Sequence, residues 1–311
     1  MELIKKVLQG DEKSAARLIS IIEEGGDEGN RAISLIFPHT GRAHIIGVTG
    51  APGSGKSTLI GKLAVSFADK GRKVGIIAVD PTSSKDNGAF LGDRLRMRNA
   101  EKTEDIFIRS MANRGYPGGI AKATAGAIYV LEALGKEIIM VETVGAGQSE
   151  IQIYSLCNTV ITLLTPDCGD EIQLMKAGLI EIGDIVAINK TDNAGAEDLL
   201  ANVAAYIEQH KTKSRQTRVL AIQADKGSGI ENLTDALNAH FSFLNENSHG
   251  KDLKKIKLKT FMLALLKEEI WNKSLNVLTG NERFEGIVKK LEKGEIDPYA
   301  AAQMASEMTG L

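Results

Sequence analysis

A short apolar run at residues 44–49 leads directly into a glycine-rich segment, and this combination constrains the fold more than any other feature. Apolar runs of this length that end at glycine are typical of buried strands. The run ends at Gly50, which opens the pattern Gly50-x-x-x-x-Gly55-Lys56-Ser57. A strand, a tight loop and a helix are therefore predicted in succession, an arrangement that binds a phosphate group at the helix N-terminus.

Each residue type in this loop suits the chemistry of a nucleotide phosphate. Glycines let the backbone turn tightly enough to direct successive N–H groups at the β-phosphate. The Lys56 ammonium can reach the β- and γ-phosphate oxygens, and the Ser57 hydroxyl can bind Mg²⁺. The alternative is a glycine-rich turn that binds nothing. We predict a nucleoside triphosphate site at Gly50, Ala51, Pro52, Gly53, Ser54, Gly55, Lys56, Ser57 and Thr58.

Short apolar runs alternate with amphipathic segments from residue 43 to residue 247, and several of the runs have the length of strands. This alternation predicts an α/β domain with a mostly parallel, doubly wound sheet that is covered on both faces. Three polar residues, Asp80, Glu142 and Asn189, stand at the ends of such runs. Because the carboxyl ends of parallel strands form the ligand site, these residues are expected beside the phosphate loop.

Helical periodicity at both ends of the chain indicates two further parts. The predicted division is a helical N-terminal extension at 1–42, a nucleotide-binding domain at 43–247 and a helical arm at 248–311. The long helix of the arm has apolar residues on two sides, with Trp271 on one side and Leu266 and Ile270 on the other. A helix that is apolar on two sides must be buried on two sides, so we expect the arm to pair with a second copy of the chain.

The segment Asn189-Lys190-Thr191-Asp192 follows a strand-like run and has the composition of a base-reading loop. The Asp192 carboxylate can accept hydrogen bonds from N1–H and the exocyclic amine of guanine, whereas adenine has an acceptor at that ring nitrogen. Asn189 can bind the other edge of the base or link loops, and the stem of Lys190 can lie over the ring. Four such residues also arise by chance at a capped helix start. Their position after a strand, and after a phosphate loop, favours GTP over ATP.

Oxygen ligands for Mg²⁺ are expected close to the phosphates, where one or two carboxylates suffice. Besides Ser57, the candidates are Asp80, Asp93 and Glu142. Asp80 and Glu142 are favoured because they stand at strand ends, whereas the alternative role of Asp93 is to cap a loop.

Residues 142–145 occupy the place of the loop that senses the γ-phosphate, and the backbone N–H of Gly145 is its expected contact. Many GTPases orient the attacking water with a glutamine directly after this glycine. Here that position holds Ala146, and the nearest glutamine is Gln148. We therefore predict slow intrinsic hydrolysis, with Lys56, Glu142, Gly145 and Gln148 as the catalytic candidates.

Composition limits the remaining classes of function. A formal net charge of −2 and a pI near 6.3 indicate no nucleic-acid or membrane-surface partner. The first residues lack the apolar core of a signal peptide, and the two cysteines, Cys157 and Cys168, favour a reducing, cytoplasmic compartment. The five histidines show no metal-ligand spacing with either cysteine, so a transition-metal site is not expected.

Five segments resemble, in this order, the MeaB/ArgK family of P-loop GTPases: GAPGSGKST, VDPTS…LGDRLRM, VETVGAGQSE, GDEIQLMKAG and INKTD. The resemblance extends to the helical N-terminus and to the arm, with its Pro-Tyr-Ala-Ala segment at 298–301. It implies a GTP-dependent chaperone that gates cofactor loading and protects an adenosylcobalamin-dependent acyl-CoA mutase, chiefly methylmalonyl-CoA mutase. It also implies a homodimer joined through the arm, with GTP or GDP and Mg²⁺ as cofactors.

The resemblance also implies roles for particular residues. Those serving phosphate and magnesium would be Lys56, Ser57, Asp80, Asp93 and Glu142, and those reading guanine would be Asn189, Lys190 and Asp192. Ala224 would present its backbone N–H to the guanine carbonyl. Residues 165–176 would form a switch that faces the mutase, with Lys176 as its signalling residue. The sequence departs from the family at 84–88, in the first switch, and at Gln223, where a serine is usual.

Two other functions remain open at this point. Older naming in the family suggests a kinase or ATPase acting in basic amino-acid transport, which would need an acceptor pocket and a base near the γ-phosphate. A nickel-delivery GTPase belongs to the same broad group and would need clustered histidine or cysteine ligands. The sequence identifies neither set of residues.

Overall fold

The computed structural model describes residues 2–81, 103, 105–113, 119–142, 155–166, 179–210 and 217–310. The strands are β1 (His44–Gly50), β2 (Val74–Pro81), β3 (Ile106–Asn113), β4 (Ile138–Glu142), β5 (Thr159–Leu164), β6 (Ile185–Ile188) and β7 (Arg218–Ala221). The helices are α1 (Glu2–Leu8), α2 (Glu12–Glu24), α3 (Gly26–Ile36), α4 (Lys56–Asp69), α5 (Gly119–Ala133), α6 (Leu179–Ile182), α7 (Ala196–Gln209), α8 (Ile230–Glu246), α9 (Ser248–Leu278), α10 (Glu282–Glu292) and α11 (Pro298–Thr309). A 3-10 turn, Phe37–His39, follows α3.

The seven strands form one parallel sheet in the order β3-β2-β4-β1-β5-β6-β7. Successive side chains of a strand point to opposite faces, so Ile76 packs in the apolar core on one face and Ile77 in the core on the other. Helices α4 and α8 cover the first face, and α2 and α5 cover the second. The prediction of a parallel, doubly wound α/β sheet is confirmed.

Two compact units make up the chain, Met1–Leu258 and Lys259–Leu311. The first contains the sheet together with α1–α8 and the beginning of α9, and the second contains the rest of α9 with α10 and α11. The three-part division into domains expected from the sequence stays a prediction. In the described part of the chain, no helix is both long enough and apolar enough to cross a bilayer.

The N-terminal helices pack on the sheet domain through apolar contacts and also form ion pairs with it. Arg109 on β3 contacts Glu23 of α2 at 2.5 Å, and the buried ammonium of Lys136 contacts Glu12 at 2.9 Å. Glu132 on α5 accepts the backbone N–H groups of residues 41–43 at 2.9–3.0 Å, just before β1 begins. These contacts fix the point at which the chain enters the central strand.

A buried lysine holds the first part of α9 against the amino end of β5. Lys257 donates from Nζ to the carbonyl oxygens of Cys157 at 3.1 Å and Asn158 at 2.9 Å, and it pairs with Asp184 at 3.3 Å. Asp184 also accepts the backbone N–H of Val160 at 2.9 Å. A cation inside a protein needs acceptors of this kind, because an unpaired buried charge is costly.

The last helix of the second unit begins at a side-chain cap. Asp297 caps α11 by accepting the N–H groups of Tyr299 and Ala300 at 2.8 and 3.1 Å, and Pro298 occupies the first helical position. Along α9 this unit exposes large apolar side chains, and Trp271 retains 61% of its accessible surface. The exposed members are Met262, Leu263, Leu266, Ile270, Trp271, Leu275 and Val277.

Candidate nucleotide-binding site

The carboxyl ends of the central strands bring the predicted phosphate loop beside a carboxylate. Strand β1 lies between β4 and β5, with Val48 in register with Glu142 and Gly50 in register with Leu163. The loop that leaves β1 therefore passes between the ends of its two neighbours. This edge of a parallel α/β sheet is where ligands bind.

Two glycines of the loop are required by their backbone conformation and by close neighbours. Gly50 has φ 151°, and a Cβ there would lie 2.3 Å from the carbonyl oxygen of Leu163. Gly55 has φ 98°, and a Cβ there would lie 2.5 Å from Nδ2 of Asn189. Any side chain would push the loop away from β5 or from the Asn189 loop, so packing alone requires glycine at these two positions.

Lys56 begins α4, and its buried ammonium lies on the loop itself. Its Nζ donates to the carbonyl oxygens of Gly50 at 2.9 Å and Ala51 at 3.2 Å. The N-terminus of a fourteen-residue helix lies at the same place, and a helix N-terminus carries partial positive charge. A cation and a helix terminus thus meet at one loop, and both favour a phosphate.

The Ser57 hydroxyl donates to Oε1 of Glu142 at 2.7 Å, and both side chains are buried at the end of the sheet. A hydroxyl and a carboxylate in contact beside a phosphate loop are oxygen donors of the kind that Mg²⁺ prefers. The two residues present therefore fit a magnesium ion. Asp80 stands near the end of β2, two residues beyond the Ala78 that is in register with Glu142, and the description of Asp80 covers its backbone alone.

Asn189 joins the phosphate loop to the opposite wall of the site. This buried residue directly follows β6, donates from Nδ2 to the carbonyl oxygen of Ser54 at 2.8 Å, and accepts the backbone N–H of Ala224 at Oδ1 at 2.9 Å. The sequence left two roles open for Asn189, binding the edge of the base or linking loops. The contacts observed are those of a residue that links loops. The next residue, Lys190, has φ 57°, which turns the chain sharply after the strand.

The loop after β7 is held against the Asn189 loop at two further points. The Thr191 hydroxyl donates to the carbonyl oxygen of Ile222 at 3.2 Å, and the ammonium of Lys226 contacts Oδ2 of Asp192 at 2.7 Å. The hydrogen bond to Asp192 raises the pKa of Lys226 above its ordinary value. The carboxylate expected to read guanine is thus held by a lysine that the sequence reasoning missed. In the sequence, the one feature that could have indicated Lys226 is its position two residues after Ala224.

Several predicted residues lie outside the described ranges, namely Asp93, Gly145, Gln148, Lys176 and the segment 84–88. Of the segment 165–176, residues 165 and 166 alone are described. Among the residues that are described, no group of three histidines, cysteines or acids is placed to hold a metal ion.

A second polar cluster lies at the opposite edge of the sheet. His44 begins β1, its Nε2 lies 2.7 Å from the Thr159 hydroxyl, and its ring stacks on Phe241 with centroids 4.3 Å apart. Burial, helped by the positive charges of His240, Arg72, Lys257 and Lys254, lowers the pKa of His44 to about 3. Cys157 lies in the same region, and burial raises the pKa of its thiol to about 12. Both groups are therefore uncharged at neutral pH.

Comparison with known proteins finds a family and relatives to which this chain is similar. Residues 15–278 match the model of the family described as methylmalonyl Co-A mutase-associated GTPase MeaB. A Pyrococcus abyssi protein that carries the name of a GTPase is 40% identical over 97% of this chain and 94% of its own length. The mitochondrial methylmalonic aciduria type A homolog of Mus musculus is 30% identical over 83% of this chain and 64% of its own length.

The crystal structure of a LAO/AO transport system kinase has the same fold. It superposes with a TM-score of 0.74 over 100% of this chain and 97% of the other, at 23% sequence identity. An identity this low supports the fold alone.

Proposed function

This chain belongs to the MeaB family of P-loop GTPases, and from that premise we propose that it is a GTP-gated chaperone of an adenosylcobalamin-dependent acyl-CoA mutase. The substrate of the mutase would be of the methylmalonyl-CoA kind. GTP hydrolysis would gate the loading of the cofactor and protect the partner enzyme. The cytoplasmic location expected from the sequence stays a prediction.

One observation carries the nucleotide part of the proposal. Asn189 joins the Ser54 carbonyl of the phosphate loop to the Ala224 N–H of the loop expected to meet the base. One buried side chain thereby links the two loops that would form the ends of the proposed nucleotide site. Recognition of guanine would fall to Asp192, which stands three residues further on in the same loop.

Magnesium would be held by Ser57, with Glu142, Asp80 and Asp93 as its acidic partners. When bound, the ion neutralises charge on the phosphate oxygens. The protein's own residues hold the triphosphate in place: Lys56 supplies a second cation, and the N-terminus of α4 supplies backbone N–H groups. Gly145 would contact the γ-phosphate, and its release would report hydrolysis.

Slow intrinsic hydrolysis follows from the residue after Gly145, which is Ala146 rather than glutamine. Gln148 is the remaining candidate for orienting water. We propose that the bound mutase contacts the loops at 142–150 and 165–176 and so accelerates the reaction. A partner that contacts both loops couples its own state to the nucleotide, as thermodynamic linkage requires.

A homodimer would form through the arm. The second unit exposes large apolar side chains along α9, with Leu266, Ile270 and Trp271 among them. A soluble monomer rarely leaves so many large apolar side chains together in water. From the sequence pattern, we expect a second copy of the arm to cover this apolar surface of α9.

The experiment combines binding and turnover. GTP hydrolysis is measured for the purified chain alone and with its purified mutase, with Lys176→Ala as the test variant and Lys70→Ala, an exposed lysine at the end of α4, as the matched control. The mutase should raise the rate of the wild type and of Lys70→Ala, whereas Lys176→Ala should keep the basal rate and lose the acceleration.

A mutase that neither binds nor accelerates any of the three proteins would refute the chaperone role. Phosphate transfer to a component of basic amino-acid transport would establish the kinase alternative instead. Nickel binding that depends on GTP would establish the metal-delivery alternative.

A further inference from the structure

The ion pair between Lys226 and Asp192 lies at the place where guanine would be read. The ammonium is 2.7 Å from Oδ2 of the carboxylate, and the two side chains keep 57% and 42% of their exposure. We infer that Lys226 is a positioning residue for guanine recognition, which holds the Asp192 carboxylate in the orientation that meets the base. This inference rests on the proposed role of Asp192 in binding GTP.

The turn that carries Lys226 is closed by backbone hydrogen bonds. Gln223 donates its backbone N–H to Ser228 at 3.0 Å, and the N–H of Gly227 returns to the carbonyl oxygen of Gln223 at 2.9 Å. The same turn is tied to the Asn189 loop through the Ala224 N–H. Lys226 therefore reaches Asp192 from a closed turn whose distance from the base-reading loop is already set.

Guanine and the lysine can use the carboxylate at the same time. An ionised carboxylate has about four lone-pair positions on its two oxygens, and guanine needs two of them. The contact with Lys226 occupies one position on Oδ2. The contact with Lys226 reduces the number of rotamers open to the Asp192 side chain, so less conformational entropy is lost when the base binds.

The opposite effect is also conceivable in physical terms, because an ammonium on the carboxylate could compete with the base. The two cases differ in sign. A positioning lysine strengthens nucleotide binding, whereas a competing lysine weakens it. Removing the ammonium while Asp192 is kept therefore separates them.

The experiment measures equilibrium binding of GDP, and of IDP, which lacks the exocyclic amine, to the full chain with Mg²⁺. The variants are Lys226→Ala, Lys226→Arg, Asp192→Asn and the double variant, with Lys70→Ala as a matched control for a lost surface charge. Lys226→Ala should weaken GDP binding about two- to five-fold, the range that an exposed ion pair supports. Lys226→Arg should retain the affinity of the wild type, because a guanidinium can form the same pair.

Two further readouts separate positioning from general damage. In the Asp192→Asn background, Lys226→Ala should have no added effect, because the pair is already broken. The preference for GDP over IDP should fall in Lys226→Ala, and the difference between wild type and variant should shrink at 0.5 M salt as the charges are screened.

Unchanged or tighter GDP binding by Lys226→Ala would overturn the inference, and so would an equal loss for GDP and IDP. An added loss in the Asp192→Asn background would do the same. If Asp192→Asn alone left GDP affinity intact, the assignment of Asp192 to guanine would be wrong, and the failure would then lie with the proposed nucleotide site.

Discussion

Replacing Asn189 with alanine tests whether one side chain holds the phosphate loop and the base loop together. The change removes a hydrogen bond of 2.8 Å to the Ser54 carbonyl and one of 2.9 Å from the Ala224 N–H. Ser54 and Ala224 are both fully buried, so water does not readily replace the lost partner. Each buried polar group left without a partner costs about 1–3 kcal/mol.

Summed over the two groups, and with some relaxation of the loops, the free energy of unfolding should fall by roughly 2–4 kcal/mol. GDP affinity should fall as well, because the two walls of the site would no longer be held at one separation. Urea unfolding monitored by circular dichroism gives the first quantity, provided that the dependence on denaturant is unchanged. Titration with a fluorescent GDP analogue gives the second.

A matched control is Asn232→Ala, which removes an exposed asparagine from the first turns of α8. Its unfolding free energy should change by no more than about 0.5 kcal/mol, as is usual for surface substitutions. If Asn189→Ala were as stable as this control and bound GDP with unaltered affinity, the reasoning that one residue links the two loops would be refuted.

Three other results are expected. The pKa of His44 is lowered to about 3 in the folded protein, against an ordinary value near 6.5. As pH falls, His44 is therefore protonated in the unfolded chain at a higher pH than in the folded protein. The free energy of unfolding should therefore fall by about 1.4 kcal/mol per pH unit from this group as pH drops from about 6.5 towards about 3, and urea unfolding of His44→Asn should show a shallower pH dependence. In a Cys168→Ser background, the Cys157 thiol, whose pKa is raised to about 12 by burial, should react with a thiol reagent at pH 8 only after denaturant is added; rapid labelling of the native protein would contradict its burial. Leu266→Glu, on the exposed face of α9, should convert a dimer to a monomer in light scattering, and a wild type that is already monomeric at micromolar concentration would disprove pairing through the arm.

Local sequence patterns determined the secondary structure and the nature of the phosphate loop. The strand end expected at Glu142 is the one observed, and that expected at Asp80 is one residue short of the end of β2, because buried parallel strands read as short apolar runs bounded by polar or turn residues. Asp11 caps α2 and Asp297 caps α11, and such caps depend on local sequence because a cap acts on the turn that directly follows it. The family was identifiable for the same reason, because its motifs are contiguous segments.

Contacts between distant segments were decided by the tertiary structure alone. Asn189 bonds Ser54 across 135 positions, Lys226 pairs with Asp192 across 34, and Lys257 donates to Cys157 across 100. From the sequence alone, each of these polar residues was compatible with several roles, because the sequence does not identify the distant group that its side chain contacts. The strand order β3-β2-β4-β1-β5-β6-β7 brings their loops to one edge or the other of the sheet. Only when the parallel strands have paired in that order does each side chain acquire the neighbour that determines its role.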